Sequence, residues 1–118
     1  MKIVNSIAIK EAYERIKQHI VSTPMITSEE INKKYGAKVF YKLENEQRTG
    51  SFKIRGALNK ILQLTEKEKE KGIVAYSSGN HGQAVSYVSK LVGVDSTIVM
   101  PSDAPSIKLL NTRKYGSK

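Results

Sequence analysis

Apolar residues in the first part of the chain recur at intervals of three and four positions, which places them on one face of an α-helix. They are Ala8, Ala12, Tyr13, Ile16 and Ile20. The helix is expected to end before Thr23 and Pro24, because proline disfavours the helical conformation for the residue that precedes it. Thr23 is therefore predicted to be extended.

A short helix and a strand are predicted next. Thr27 and Glu30 have the spacing of a capping box, in which a threonine caps the helix and a glutamate reaches back to it. The helix is expected to stop at Gly36, because glycine readily adopts the left-handed conformation found at helix ends. Residues 38–43 (KVFYKL) then predict a strand.

Two helices are predicted in the middle of the chain. Ser51 is expected to cap a helix that starts at position 52 or 53 and runs to about position 64. Thr65 and Glu68 repeat the capping-box spacing. A second, shorter helix should therefore follow and end at Gly72.

The rest of the chain alternates strands and helices. Strands are predicted at 73–76 and 96–100, with an amphipathic helix between them at 80–92. Pro105 suits the first turn of a last helix, which should end near Gly116. This alternation predicts an α/β fold of right-handed βαβ units with a mostly parallel sheet. The next strand is due where the chain stops.

The charge balance narrows the possible partners. The chain has 118 residues, with 20 basic and 11 acidic side chains and a net charge of +9. Its lysines often alternate with glutamate, as in residues 66–71, which is typical of a solvated helical face. No nucleic-acid motif accompanies the basic residues. We therefore expect neither nucleic acid nor a membrane as a partner.

Other kinds of site are disfavoured by the composition. The chain has no cysteine, which excludes disulfides and thiolate chemistry. Its two histidines, His19 and His81, have no close acidic cluster beside them in the sequence, so no metal site is expected. No stretch resembles a signal peptide or a membrane span, and a soluble cytoplasmic protein is expected.

Two polar segments carry the candidate chemistry. Residues 49–57 (TGSFKIRGA) place Lys53 at the start of a predicted helix, after a turn of small residues. Lysine amines form covalent bonds with the carbonyl groups of cofactors and substrates. Residues 77–82 (SSGNHG) lie where a parallel strand is expected to end and a helix to begin. Such turns can bind an anion through free backbone N–H groups, and a substrate carboxylate would be such an anion.

These two segments, in this order and with a helix between them, resemble the pyridoxal phosphate (PLP) enzymes of the tryptophan synthase β-like family, or fold type II. Threonine/serine dehydratases and serine racemases are its most similar members. The resemblance extends from Thr23-Pro24 through Met100-Pro101 and Ala104-Pro105 to residues 114–116 (KYG). It implies the fold of that family and a PLP cofactor.

The resemblance also implies roles for individual residues. Lys53 would hold PLP covalently and accept a proton from the substrate, and Phe52 would lie against the cofactor ring. Asn80 would donate a hydrogen bond to the ring hydroxyl oxygen. Arg55 is expected to form a structural ion pair rather than to act in catalysis. The residues expected to line the substrate carboxylate site are Ser77, Gly79, Asn80 and His81.

Two activities remain open. A threonine/serine dehydratase (ammonia-lyase) would convert a hydroxyamino acid to a 2-oxo acid and ammonia. Serine racemase is the alternative, because Ser78 matches the serine that in racemases exchanges a proton on the cofactor face opposite the lysine. Inversion of a stereocentre needs two such opposed acid–base groups. Serine also occurs at this place in dehydratases, so Ser78 does not decide between them.

Members of this family are considerably longer than this chain, which is therefore expected to be the N-terminal portion of such an enzyme. Residues up to about 50 would begin the larger domain, and residues from about 51 to 118 would form most of the smaller one. The family's glycine-rich loop for the cofactor phosphate is not found in the sequence. At full length the resemblance implies a homo-oligomer that acts on a small hydroxyamino acid. An inactive fragment, or one half of a split enzyme, is the alternative from a different functional class.

We predict that the isolated chain of 118 residues binds PLP poorly, because charged contacts to the phosphate normally supply much of the affinity. Purified chain mixed with equimolar PLP should show no stable visible absorbance band of lysine-bound cofactor. A stoichiometric band that disappears in the Lys53→Ala variant would contradict this prediction.

Overall fold

Helices and strands alternate along most of the chain in the computed structural model, which describes residues 4–118. In chain order the elements are α1 (Ser6–Ile16), β1 (Met25–Thr27), α2 (Glu29–Tyr35), β2 (Phe40–Lys42), a 3₁₀ turn (Glu44–Glu46), α3 (Lys53–Ile61), α4 (Glu66–Glu70), β3 (Ile73–Tyr76), α5 (Asn80–Val92), β4 (Ser96–Val99) and α6 (Ser106–Lys114).

The predicted βαβ unit is formed by β3, α5 and β4. The two strands pair in parallel, from Ile73 opposite Ser96 to Tyr76 opposite Val99. The bounds of β3 and α5 are those that the sequence predicted. Side chains alternate across β3: Ile73 packs against the apolar core, whereas Val74 on the other face is 76% exposed. Helices therefore cover one face of this sheet.

The N-terminal part contains a second sheet that the sequence did not predict. Strands β1 and β2 pair antiparallel, with Ile26 opposite Tyr41. The expectation of mostly parallel pairing thus holds for β3 and β4, but not for this pair. A parallel connection needs a long crossover, whereas the strand-forming residues on either side of α2 can pair directly as antiparallel neighbours.

The capping box predicted at Thr27 is wrong. Thr27 lies in β1, and its hydroxyl donates to the Val39 carbonyl oxygen at 2.8 Å. The N-cap of α2 is Ser28, whose hydroxyl accepts from the Ile31 N–H. Because the Thr27 hydroxyl is bonded across the strand pair, the next residue, Ser28, caps the helix. The predicted helix end at Gly36 is confirmed, with φ of 61°.

Other predicted helix ends differ by a few residues. α1 ends at Ile16, although the apolar spacing continues to Ile20, which is buried just beyond it. The capping box of α4 is confirmed, since the Thr65 N–H donates to the Glu68 carboxylate at 2.8 Å. The last helix begins at Ser106, so Pro105 is its N-cap and does not lie in its first turn as predicted.

The apolar core lies between α3, α5 and the β3–β4 sheet. Ile54 and Leu58 of α3 and Ala84 and Val88 of α5 are fully buried in it. Ile16 of α1 completes the same cluster. The core therefore joins the two helices whose first turns carry the predicted site residues.

The outer edge of β4 also has backbone partners. The Lys118 N–H donates to the Ser96 carbonyl oxygen at 3.0 Å, and the Ile98 N–H donates to the Lys118 carbonyl oxygen at 2.8 Å. Lys118 thus bonds to Ser96 and to Ile98, the two neighbours of Thr97. A residue that bonds in this way to both neighbours of its partner is typical of parallel strands. Lys118 is therefore paired with Thr97 in the manner of a parallel neighbour.

Gly82 allows α5 to approach the sheet closely. A Cβ atom at this position would lie 2.9 Å from Cγ2 of Ile98, in the buried interior. Because β-branched side chains have little rotational freedom, Ile98 cannot turn away easily. The first turn of α5 thus depends on glycine for its contact with β4.

We predict that Gly82→Ala lowers the free energy of unfolding by about 1–3 kcal/mol, the usual cost of overpacking a core. Gly56→Ala is the matched control: it lies in α3, and an added Cβ meets nothing within 4 Å. That variant should be neutral or stabilising, because alanine favours helix over glycine. Urea denaturation of both variants measures the difference, and equal stabilities would contradict the prediction.

Candidate active site

A bidentate ion pair fixes the loop that leads into α3. Nε of Arg55 donates to one carboxylate oxygen of Glu44 at 2.8 Å, and Nη2 donates to the other at 2.7 Å. The Thr23 hydroxyl also donates to Glu44, at 2.7 Å. The hydrogen bond from Arg55 is the main cause that lowers the pKa of Glu44 to about 2. The structural ion pair predicted for Arg55 is confirmed.

Gln47 also fixes this loop, by hydrogen bonds to the backbone of Val21 that the sequence did not predict. Its side-chain amide accepts from the Val21 N–H at 2.8 Å and donates to the Val21 carbonyl oxygen at 2.9 Å. The side chain thus pairs with the backbone as a neighbouring strand would. Arg48 adds a bond to the His19 carbonyl oxygen at 3.0 Å. A lone glutamine in a polar stretch carries no sequence signal for such pairing.

Lys53 is the first residue of α3, as predicted, but Ser51 is not its cap. Phe52 occupies the N-cap position, and its carbonyl oxygen accepts from the Arg55 N–H at 3.0 Å. Ser51 therefore lies one residue before the cap. It is 7% exposed, and its hydroxyl has no hydrogen-bond partner among the described residues. The same holds for the hydroxyl of Thr49.

The side chain of Lys53 is exposed and lies over an aromatic ring. Its Nζ is 5.1 Å from the centroid of Phe52, which is itself 58% exposed. Within residues 4–118 no carboxylate forms an ion pair with this amine. The contact with the ring leaves the amine exposed, so a carbonyl group can approach it.

The turn between β3 and α5 is held at both ends. The Ser77 N–H donates to the Val99 carbonyl oxygen at 3.0 Å, and the Gly79 N–H donates to the Ser77 hydroxyl at 3.1 Å. α5 starts at Asn80 without a side-chain cap. Its first-turn N–H groups, at the positive end of the helix dipole, therefore face no capping side chain among residues 4–118. This geometry suits an anion.

The predicted residues occupy two clusters. Lys53 contacts Phe52, and Ser77 contacts Gly79. Ser78 and His81 are exposed beside the turn. No hydrogen bond or ion pair within the described part of the chain joins Lys53 to the turn.

A cavity of about 430 Å³ lies between the turn and α3, and His81 lines it on the side of the turn. Gly56 and Ala57 of α3 and Ala75 of β3 line the same cavity. Lys53 and Asn80 do not line it. The cavity runs along α3 and is not the space between the amine and the turn.

These groups fit a planar aldehyde cofactor and the carboxylate of an amino-acid substrate. An accessible amine, a neighbouring aromatic ring and an amide side chain can hold a planar aldehyde. An uncapped helix start can hold a carboxylate.

Comparison with known proteins agrees with this chemistry. Residues 16–118 match the protein family described as pyridoxal-phosphate dependent enzyme. The chain belongs to this family. The predicted resemblance to PLP enzymes is thereby confirmed, and PLP is the family's cofactor.

Individual relatives are similar at high identity. A serine racemase of Dictyostelium discoideum is 51% identical over 109 residues, covering 92% of this chain and 34% of that protein. A catabolic L-threonine dehydratase of Staphylococcus aureus is 52% identical over 111 residues, covering 93% and 32%. The structure of maize serine racemase matches with a TM-score of 0.89 at 43% identity, over 93% of this chain and 33% of that one.

These matches confirm the fold type II architecture. The chain spans about a third of the length of the relatives it matches. The roles of Lys53, Ser78 and Asn80 stay predictions. Among residues 4–118, no group of three or more His, Cys, Asp or Glu side chains could hold a metal ion. In the same residues, no helix combines the length and apolar character needed to cross a membrane.

We predict that Glu44→Gln lowers the free energy of unfolding by about 1–3 kcal/mol at neutral pH, because it removes a charged partner from a half-buried arginine. The pKa of Glu44 is lowered from 4.5 to about 2 in the folded chain. Its stabilising effect is therefore complete above pH 4.5 and is lost as the pH falls towards 2. The difference between wild type and variant should shrink over that range in urea titrations.

Glu66→Gln is the matched control for this experiment. Glu66 pairs with Lys69 at 2.7 Å, but its side chain is 84% exposed. Exposed pairs contribute little, so its effect should stay below about 1 kcal/mol. A Glu44→Gln effect that is as small, or that is independent of pH, would contradict the structural role of the Glu44–Arg55 pair.

Proposed function

We propose that this chain is the lysine-bearing N-terminal part of a PLP-dependent ammonia-lyase that acts on a small hydroxyamino acid, threonine or serine. The observation that carries the proposal is the exposed Lys53 amine, which lies over Phe52 at the first residue of α3 without an acidic partner in the described chain. A dehydratase relative at 52% identity supports the reaction. Residues up to about 50 would belong to the larger domain, and the remainder to the smaller one.

Each residue of the site has a proposed task. Lys53 Nζ would hold the cofactor covalently until the substrate amine displaces it, and the freed amine would then take the proton from the substrate's α-carbon. Phe52 packs against the cofactor ring, and Asn80 donates to its hydroxyl oxygen. When bound, PLP delocalises the charge left on the α-carbon. The residues proposed to bind the substrate carboxylate are Ser77, Gly79, Asn80 and His81.

The proposed reaction has a defined outcome. Loss of the α-proton to Lys53 would be followed by departure of the β-hydroxyl group as water, for which it takes up a proton. The unsaturated amine that is released would then tautomerise, and its hydrolysis would give a 2-oxo acid and ammonia. The amine of Lys53 is exposed, so it is accessible to a bound substrate. The Glu44–Arg55 pair contributes only by fixing the loop before Lys53.

Serine racemase is the second candidate, and Ser78 favours it. The side chain is exposed at the turn and makes no hydrogen bond within residues 4–118, so its hydroxyl is available to exchange a proton. A relative named serine racemase is 51% identical. Lys53 and Ser78 would supply the two opposed acid–base groups that inversion requires.

The ammonia-lyase proposal is tested by product analysis. The full-length protein incubated with PLP and L-threonine or L-serine should release ammonia and the matching 2-oxo acid. Lys53→Ala should lower the rate by at least about a hundredfold, the scale of lost acid–base catalysis. Lys60→Ala, in the last turn of the same helix, should leave the rate unchanged. Absence of 2-oxo acid with both substrates would refute the proposal.

Chiral chromatography after incubation with L-serine separates the two candidates. If the protein is a racemase, D-serine should form, and Ser78→Ala should abolish its formation while ammonia release persists through Lys53. Ser22→Ala, an exposed serine in the connection between α1 and β1, is the control. D-serine formation that is undiminished in Ser78→Ala would exclude this role for Ser78.

A further inference from the structure

The side chain of Asn80 lies at the end of a hydrogen-bonded chain that starts on α6. Lys108 Nζ donates to Asn80 Oδ1 at 2.6 Å. Gln83 Nε2 donates to the same oxygen at 3.4 Å. Asn111 Nδ2 in turn donates to Gln83 Oε1 at 2.8 Å. Two residues of α6 thus reach the first turn of α5.

Lys108 determines which group donates and which accepts in each of these three side-chain hydrogen bonds. A lysine ammonium group can only donate, so the Asn80 atom that faces it must be the oxygen. Gln83 must then present its nitrogen to Asn80, which leaves its own oxygen to accept from Asn111. Reversal of the Asn80 amide would place N–H groups against the ammonium group. The orientation of Asn80 therefore follows from chemistry, and only one arrangement satisfies all four side chains.

One end of this series of hydrogen bonds is buried, and the other end is exposed to solvent. Gln83 is 3% exposed, and Asn111 is half-buried. Asn80 is exposed, and its Nδ2 makes no hydrogen bond within residues 4–118. With Oδ1 occupied by two donors, Nδ2 is the group that the side chain offers to a ligand. Asn80 is thus restricted to donating.

We propose that Lys108 is a positioning residue that holds Asn80 as a hydrogen-bond donor for the ring hydroxyl oxygen of PLP. The inference rests on the proposed function, since it takes Asn80 as a cofactor-binding residue. A cation on the amide oxygen also polarises the amide and strengthens its N–H groups as donors. Without Lys108, Asn80 can turn and present its oxygen to the oxygen of the cofactor, which is repulsive.

The first test measures the orientation of Asn80 without any cofactor. The side-chain amide signals of Asn80 are recorded by NMR in the ¹⁵N-labelled chain and assigned by their loss in Asn80→Asp. Lys108→Met should shift them, and Lys108→Arg, which keeps a side chain that can only donate, should restore them. Lys114→Met, in the last turn of the same helix, should change nothing. Unchanged Asn80 signals in a folded Lys108→Met chain would overturn the proposal.

The second test measures PLP affinity of the full-length protein by absorbance titration. Lys108→Met should weaken binding roughly tenfold, as expected for one charge-assisted hydrogen bond. Lys108→Arg should bind as the wild type does, and so should Lys114→Met. A general loss of structure would not be rescued by arginine alone, so the rescue separates positioning from folding.

The outcomes distinguish this inference from the proposed function. If wild type binds PLP and Lys108→Met binds it equally well, the role of Lys108 is wrong and the proposed function stands. If wild type does not bind PLP at all, the proposed function fails, and the assigned role of Lys108 fails with it. Shifted NMR signals together with weakened, arginine-rescued binding would support both.

Discussion

Packing of α3 against α5 is the interaction on which the rest of the structure depends. Ile54 and Leu58 from one helix and Ala84 and Val88 from the other are fully buried in a single cluster with the β3–β4 sheet. Lys53 and Asn80 are the first residues of these two helices. Lys53 and Asn80 are therefore each attached to a rigid element of one core. A site on rigid elements is positioned more closely than a site on mobile loops.

The polar hydrogen bonds around α3 hold the loop that precedes it, whereas the core holds the helices. The loop from residue 43 to residue 52 has little apolar content, so burial alone cannot fix it. Glu44 and Gln47 instead bond to Arg55 and to the backbone of Val21. The cost of ordering a polar loop is offset by several bonds to groups that are partly removed from water. The path of the chain into Lys53 is set by these bonds.

Local patterns in the sequence predicted the elements whose causes are local. The bounds of β3 and α5, the Thr65 capping box and the end of α2 at Gly36 each depend on residues close in the chain. Thr27 and Ser51 were misassigned because their surroundings are not local. Thr27 bonds to Val39 across a strand pair, and Ser51 lies buried before the cap. Propensity for a cap cannot reveal either tertiary contact.

The candidate site shows the same division. The motifs around Lys53 and Asn80 were visible in the sequence, because the chemistry needs particular residue types at fixed places on two helices. The contributions of Gln47 and Lys108 were not visible, since each acts over a long distance in the chain. Lys108 contacts a residue 28 positions away, and nothing in the residues around it distinguishes it from the other lysines. Pairing of distant residues is a property of the packed structure.

The helix starts show how the fold separates stability from binding. α1, α2 and α4 are capped by the side chains of Asn5, Ser28 and Thr65. Within the described part of the chain, no side chain caps the starts of α3 and α5, and none caps α6, which supplies Lys108. A capping oxygen stabilises a helix by about 1 kcal/mol but occupies the N–H groups that would bind an anion. The two helices that carry Lys53 and Asn80 are held by the buried core without that stabilisation, and no capping oxygen of the described residues occupies their first turns.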